Sequence, residues 1–114
     1  PMHELSLTED LYQTIKEKAA ADGFTRVNKV MLEVGELSHV QADAMLFCFE
    51  SVMKGTIVES ADLEIIKIAG QGECSECGSI SNLHQFYDPC SICGAFGLRV
   101  IAGDRVQIKA LEVN

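Results

Sequence analysis

Two short cysteine pairs, Cys74-x2-Cys77 and Cys90-x2-Cys93, separated by twelve residues, constrain the fold of this chain more than any other feature. Four thiols in that arrangement suit one tetrahedral zinc ion. Each pair must turn tightly for its sulfurs to converge. Gly78 and Gly94, directly after the second cysteines, permit the backbone angles such turns need. The same turns aim backbone N–H groups at the thiolates. Between the pairs runs a loop, residues 79–89, whose Leu83, Phe86 and Tyr87 are too few for an independent core, so bound metal would supply the folding free energy of this lobe. Four thiolates close the site and leave no position for a water or a substrate, which points to a structural centre and away from a zinc hydrolase.

Other uses of the four thiols fit less well. A redox dithiol usually ends a strand that leads into a helix of a βαβ unit, and neither pair has that context. A disulfide framework needs an oxidising compartment, whereas no charged-then-apolar signal segment opens the sequence and a fifth cysteine, Cys48, is left over. Iron also accepts four thiolates, so the spacing favours zinc without separating the two metals.

With 114 residues and 47% hydrophobic content, the chain has material for one modest core, with the cysteine lobe riding on it as a second. No apolar run approaches the length of a membrane span, and reduced thiols point to the cytoplasm. The formal charge is −8, and four thiolates around one Zn²⁺ would take it to about −10. Such a charge opposes phosphate contacts, so the ribbon-like cysteine pattern is not expected to bind nucleic acid; Asp88 is the one formal charge between the pairs.

Along the chain, Ser6-Leu7-Thr8-Glu9 fits a capping box, and Leu7, Leu11, Ile15 and Ala19 predict a helix ending near Asp22-Gly23. Val27, Val30, Leu32 and Val34 predict a strand closed by Gly35. A second capping box, Ser38 to Gln41, opens a helix in which Ala44, Phe47, Cys48 and Ser51 share a face. Met45, Leu46, Phe49, Val52 and Met53 make that helix apolar nearly all round, which suits deep burial or an interface. Residues 63–68 predict a strand, and residues 70–72 a passage into the cysteine lobe. Gly103-Asp104 predicts a two-residue hairpin between the last two strands, and the changing apolar phase of the final strand predicts a bulge near Lys109 or Ala110. The element order implies an α+β fold: a small mixed sheet packed with two helices, plus an inserted zinc-ribbon lobe. The expected domains are 1–70, completed by a strand at 104–114, and the zinc-binding 71–103.

Met2-His3-Glu4-Leu5-Ser6, Leu32-Glu33-Val34-Gly35-Glu36-Leu37-Ser38, the four cysteines and the ending Ala110-Leu111-Glu112-Val113 together resemble the HypA/HybF hydrogenase nickel-incorporation proteins over essentially the whole chain. The resemblance implies a nickel metallochaperone, not an enzyme, for maturation of [NiFe]-hydrogenase. It implies structural zinc on the cysteines and a nickel site at His3, Glu4 and the backbone of Met2. It also implies delivery with a nickel-binding GTPase to the hydrogenase large subunit precursor, and leaves open service to urease maturation proteins. Separately, the apolar helix from Val40 to Met53 and the interruption of the first lobe by the cysteine insertion leave open a homodimer formed by strand exchange. The alternative class is a zinc-ribbon adaptor that docks other proteins without delivering metal.

The chemistry of the start agrees with a nickel site. His3 offers an imidazole beside a terminal amine and backbone amides that Ni²⁺ can deprotonate, a planar nitrogen set that Ni²⁺ and Cu²⁺ favour and zinc does not. Glu4, Glu9 and Asp10 offset the positive field of a helix N-terminus. In the family the initiator methionine directly precedes the histidine, whereas here Pro1 comes first, so a Pro1 amine would join the donor set if the chain starts there. Other candidates carry plainer expectations: Cys48 a buried inert thiol, His39 and His84 solvent-facing, and Glu33, Glu36 and Glu4 solvated acids.

Overall fold

The computed structural model describes residues 2–114. Helix α1 (Met2–Asp22) is followed by strand β1 (Val27–Gly35), a short 3-10 turn (Glu36–Ser38), helix α2 (Ala42–Met53) and strands β2 (Asp62–Ile68), β3 (Gly70–Glu73), β4 (Ile80–Leu83), β5 (Arg99–Ala102) and β6 (Val106–Val113). The strands form two three-stranded sheets, ordered β2-β1-β6 and β4-β3-β5. The architecture is α+β.

Helix α1 begins a full turn before the expected cap. Met2 to Leu5 contains no residue that breaks a helix, so Ser6 lies inside α1 rather than capping it. Its inward stripe is Glu4, Thr8, Leu11 and Ile15, all buried, a spacing of four, three and four residues that matches one helical face. Thr8 satisfies its hydroxyl against the Glu4 carbonyl, four residues back, at 2.7 Å. The helix ends where Gly23 enters the left-handed region at φ 80° and donates its N–H to the Ala19 carbonyl at 2.8 Å.

The second expected cap also fails. Ser38 belongs to the 3-10 turn, its hydroxyl bonded to the Gly35 carbonyl at 2.6 Å, and α2 starts after Gln41. The buried face of α2 is Met45, Cys48, Phe49 and Met53, whereas Phe47 is 70% exposed and Ser51 is also outside. Periodicity alone chose the wrong apolar stripe because this helix has apolar residues on both sides.

The chain divides into two compact units. The first takes the residues up to Leu32, Val40–Ile65 and Ile108–Asn114. Its core is Ile15, Val27, Val30, Phe49, Met53 and Val58, with Tyr12, Phe24, Leu63, Ile108 and Leu111 packed around it. Each such side chain contributes about 1.5–3 kcal/mol on burial. In β6 the half-buried pair Ala110-Leu111 marks the phase change.

The second unit takes Glu33–His39 and Ile66–Gln107. Its core is Leu37, Cys74, Leu83, Cys90 and Leu98. Residues 70–72 form strand β3, not a connecting passage, and pair antiparallel with β4 on one side and β5 on the other. Gly103-Asp104 is no hairpin, because β5 joins β3 while β6 joins β1. Instead the Gly103 carbonyl accepts the Leu37 N–H, and the Arg105 carbonyl accepts the Gly35 N–H, each at 2.8 Å. Gly35 is required there, since a Cβ would collide with the Gly103 backbone.

Candidate metal centres

The two cysteine turns are built alike. Gly78 donates to the Cys74 carbonyl and Gly94 to the Cys90 carbonyl, both at 2.9 Å, and the glycines sit at φ 75° and 77°. Cys74 N–H donates to the Ser79 carbonyl at 3.0 Å, and Cys90 N–H to the Ala95 carbonyl at 2.8 Å. The first turn closes the β3–β4 hairpin, whose register pairs Glu73 with Ile80. The second turn leads to Leu98 and to β5, where Arg99 lies opposite Glu73 and forms an ion pair with it.

All four sulfurs fall within 4.8 Å of one another, and among the described residues no other group of three or more His, Cys, Asp or Glu does so. Cys74 Sγ lies 3.6 Å from Cys93 Sγ, and Cys77 Sγ 3.7 Å from Cys90 Sγ. Those separations exclude disulfides. Four sulfurs each 2.3 Å from a common tetrahedral centre would stand about 3.8 Å apart, close to these two separations, so the cluster suits a zinc-sized ion. Cys74 and Cys90 are buried, Cys77 and Cys93 exposed.

The thiols are poised unequally. The N–H of Cys93, the Ser79 hydroxyl, the Ile92 N–H and the Ser81 hydroxyl lower the Cys90 thiol to about 5. The Ser79 hydroxyl, 2.8 Å away, and the Ser79 N–H lower that of Cys77. At Cys93 the Ala95 N–H favours the thiolate, but Cys74, burial, Cys77 and Cys90 outweigh it and push the thiol up to about 12. Crowding thus opposes ionisation at Cys93 while hydroxyl and N–H donors favour it at Cys90. A divalent cation removes that conflict and holds all of them as thiolates.

At the other candidate site, His3 stands exposed on the first turn of α1. Glu4 does not: it is 5% exposed, and its Oε2 accepts the N–H of Gln41 at 3.0 Å. That bond is the chief reason its carboxyl lies below the ordinary value, with the charge of His3 adding to the effect. The expectation of a solvated acid is thus corrected. Sequence gave no sign of it, because the partner lies 37 residues away. Met2 contributes backbone to the start of the helix, where N–H groups have no intrahelical partner. Pro1 lies outside the described residues.

None of the remaining candidates joins the four-cysteine cluster. Cys48 is buried on α2. His39 adopts a left-handed conformation, φ 58°, with its ring 6.5 Å from that of Phe86. His84 Nδ1 lies 2.6 Å from Glu36 Oε2, and this contact raises the imidazole while lowering the carboxyl. Glu36 also accepts the Gly70 N–H, and Glu33 accepts from Gln107. No helix among the described residues is long and apolar enough to cross a membrane.

A four-thiol cluster inserted into a small α+β domain defines a metal-binding protein. The family model for "Hydrogenase/urease nickel incorporation, metallochaperone, hypA" matches residues 2–113. The hydrogenase maturation factor HypA of Rhizobium leguminosarum bv. viciae is 45% identical over 112 residues, covering 98% of this chain and 99% of that one. The HypA of Geobacter sulfurreducens is 44% identical over 113 residues, covering 99% and 100%. The fold matches the solution structure of the Ni metallochaperone HypA from Helicobacter pylori with a TM-score of 0.74 at 21% identity, covering 96% of each chain. The chain belongs to the HypA family of nickel metallochaperones for hydrogenase maturation.

Proposed function

We propose that this chain takes up Ni²⁺ at the start of α1 and passes it on during [NiFe]-hydrogenase maturation, while the four cysteines hold a structural zinc ion. Family membership across residues 2–113 carries the proposal. His3 supplies an imidazole on an exposed turn, and the free amides of the first helical residues supply nitrogen donors that Ni²⁺ can deprotonate. A Pro1 amine joins them where the chain starts at Pro1. Glu4 belongs to the site through its backbone and its negative charge, with its carboxylate occupied by Gln41. We assign nickel carriage to residues 1–70 and 104–114 and zinc binding to residues 71–103, although Glu33–His39, residues 66–70 and residues 104–107 pack in the compact unit that holds the cysteines.

Zinc, when bound, ties the four sulfurs together; Cys74 and Cys90 hold it from inside the lobe, Cys77 and Cys93 from the solvent side. The relatives' name, hydrogenase maturation factor, supports the hydrogenase large subunit precursor as destination, reached with a nickel GTPase in the cytoplasm. The family description also names urease, so urease maturation proteins are a second destination. The exposed Ile92 and Phe96 around the second cysteine turn suit an adaptor as well. Nickel titration of the zinc-loaded protein separates the two functions: uptake that requires His3 supports the carrier, and zinc binding without nickel uptake supports the adaptor.

A further inference from the structure

Ser81 is a polar residue at an inward position of its strand. With Leu83 fully buried, alternation in Ile80-Ser81-Asn82-Leu83 places Ser81 on the same inner face, where it is 3% exposed, and turns the apolar Ile80 outward at 56% exposure. Across the sheet it faces Gly72, where a Cβ would crowd the side chains of Leu83 and Leu98. A hydroxyl thus occupies a place that a sequence built only for packing would fill with an apolar group.

Its hydrogen-bonding capacity is fully used. Ser81 Oγ donates to Cys90 Sγ at 3.7 Å and accepts the Ser91 N–H at 3.1 Å. It also lies 3.0 Å from Ser91 Oγ. Strand β4 is thereby tied to the second cysteine turn through the sulfur itself. The arrangement is one-sided: sixteen residues on, the positions equivalent to Ser79 and Ser81 are Ala95 and Gly97, which have no hydroxyl.

We infer that Ser81 is a positioning residue for the cysteine-bound metal, fixing the direction of the Cys90 thiolate and drawing charge from its sulfur. The inference rests on the proposal that the four cysteines hold a metal. Hydrogen bonds to a metal thiolate orient the ligand and temper its electron donation, so losing one loosens the site and makes the sulfur a stronger donor.

The test compares Ser81→Thr, which keeps a hydroxyl, with Ser81→Val, which has the same shape without it, and with Ser81→Ala. Two readouts are taken on the intact protein: the rate at which zinc passes to a chromophoric chelator, and the sulfur-to-cobalt charge-transfer band after Co²⁺ substitution. Ser81→Thr should match the unsubstituted protein in both. Ser81→Val and Ser81→Ala should lose zinc about tenfold faster and move the band to lower energy. If Val and Thr behave alike, shape and not the hydroxyl matters, and the inference is wrong. If the unsubstituted protein takes up neither metal, the metal site itself is overturned and the inference with it.

Discussion

Glu4 owes its burial to a bond that no local pattern announces. Its carboxyl lies below the ordinary 4.5 chiefly because it accepts the Gln41 N–H. A carboxyl with a lower value in the folded chain than in the unfolded one adds stability that is complete above the unfolded value and disappears as pH falls through the folded one. Thermal melts from about pH 7 downward should therefore show the protein losing stability as acid is added below about 4.5. Glu4→Ala should start less stable at neutral pH and lack that part of the acid slope; identical slopes would show the Gln41 bond to be energetically idle. The cysteine cluster was legible in the sequence because each pair is local and its glycines mark the turns. The partners of Glu4 and of His84 were not, since their contacts span 37 and 48 residues.

Elements were legible where one periodicity dominated. Strand β1 alternates from Val30 to Val34, and its expected limits match. Both expected caps failed because Ser is also acceptable elsewhere: Ser6 lies inside α1, and Ser38 sits in the 3-10 turn with its hydroxyl bonded to the Gly35 carbonyl. The Gly103-Asp104 pair looks like a hairpin turn, but long-range pairing of β5 with β3 and of β6 with β1 overrode it. The clustering of Glu33–His39 with the cysteine lobe has no local signal either, since it depends on Leu37 meeting a core assembled from residues 74–98.

Gly35 tests that packing. Gly→Ala at an unstrained position gains about 0.4–1 kcal/mol from the unfolded chain, but overpacking costs about 1–3 kcal/mol. Because the new methyl would meet the Gly103 backbone rather than a flexible side chain, the cost should win. Chemical denaturation of Gly35→Ala should show a net loss of about 1–2 kcal/mol, and a gain would contradict the close approach. Replacing Cys74 or Cys93 with Ser should open residues 72–95 to rapid amide exchange while the helices stay protected, because a structural zinc site contributes on the order of 10 kcal/mol to its own lobe. Unchanged protection across 72–95 would mean that the lobe holds itself together without metal.

For the whole molecule, the proposed function requires that two metals be kept apart by the chemistry of their donors. Soft thiolates in a closed tetrahedron suit zinc, and nitrogen donors at an exposed helix start suit Ni²⁺ in a plane. A carrier must also release its cargo, so nickel affinity near the micromolar range, about −8 kcal/mol, is expected, well below that of the zinc site. The direct measurement is calorimetric titration of Ni²⁺ into zinc-loaded protein beginning at Met2, beside His3→Ala, with zinc content measured before and after. The protein should bind nickel at about micromolar affinity and keep about one zinc per chain throughout. His3→Ala should lose the nickel binding and keep the zinc. Equal nickel affinity in the two proteins, or nickel displacing zinc from the cysteines, would contradict a separate carrier site at the start of α1.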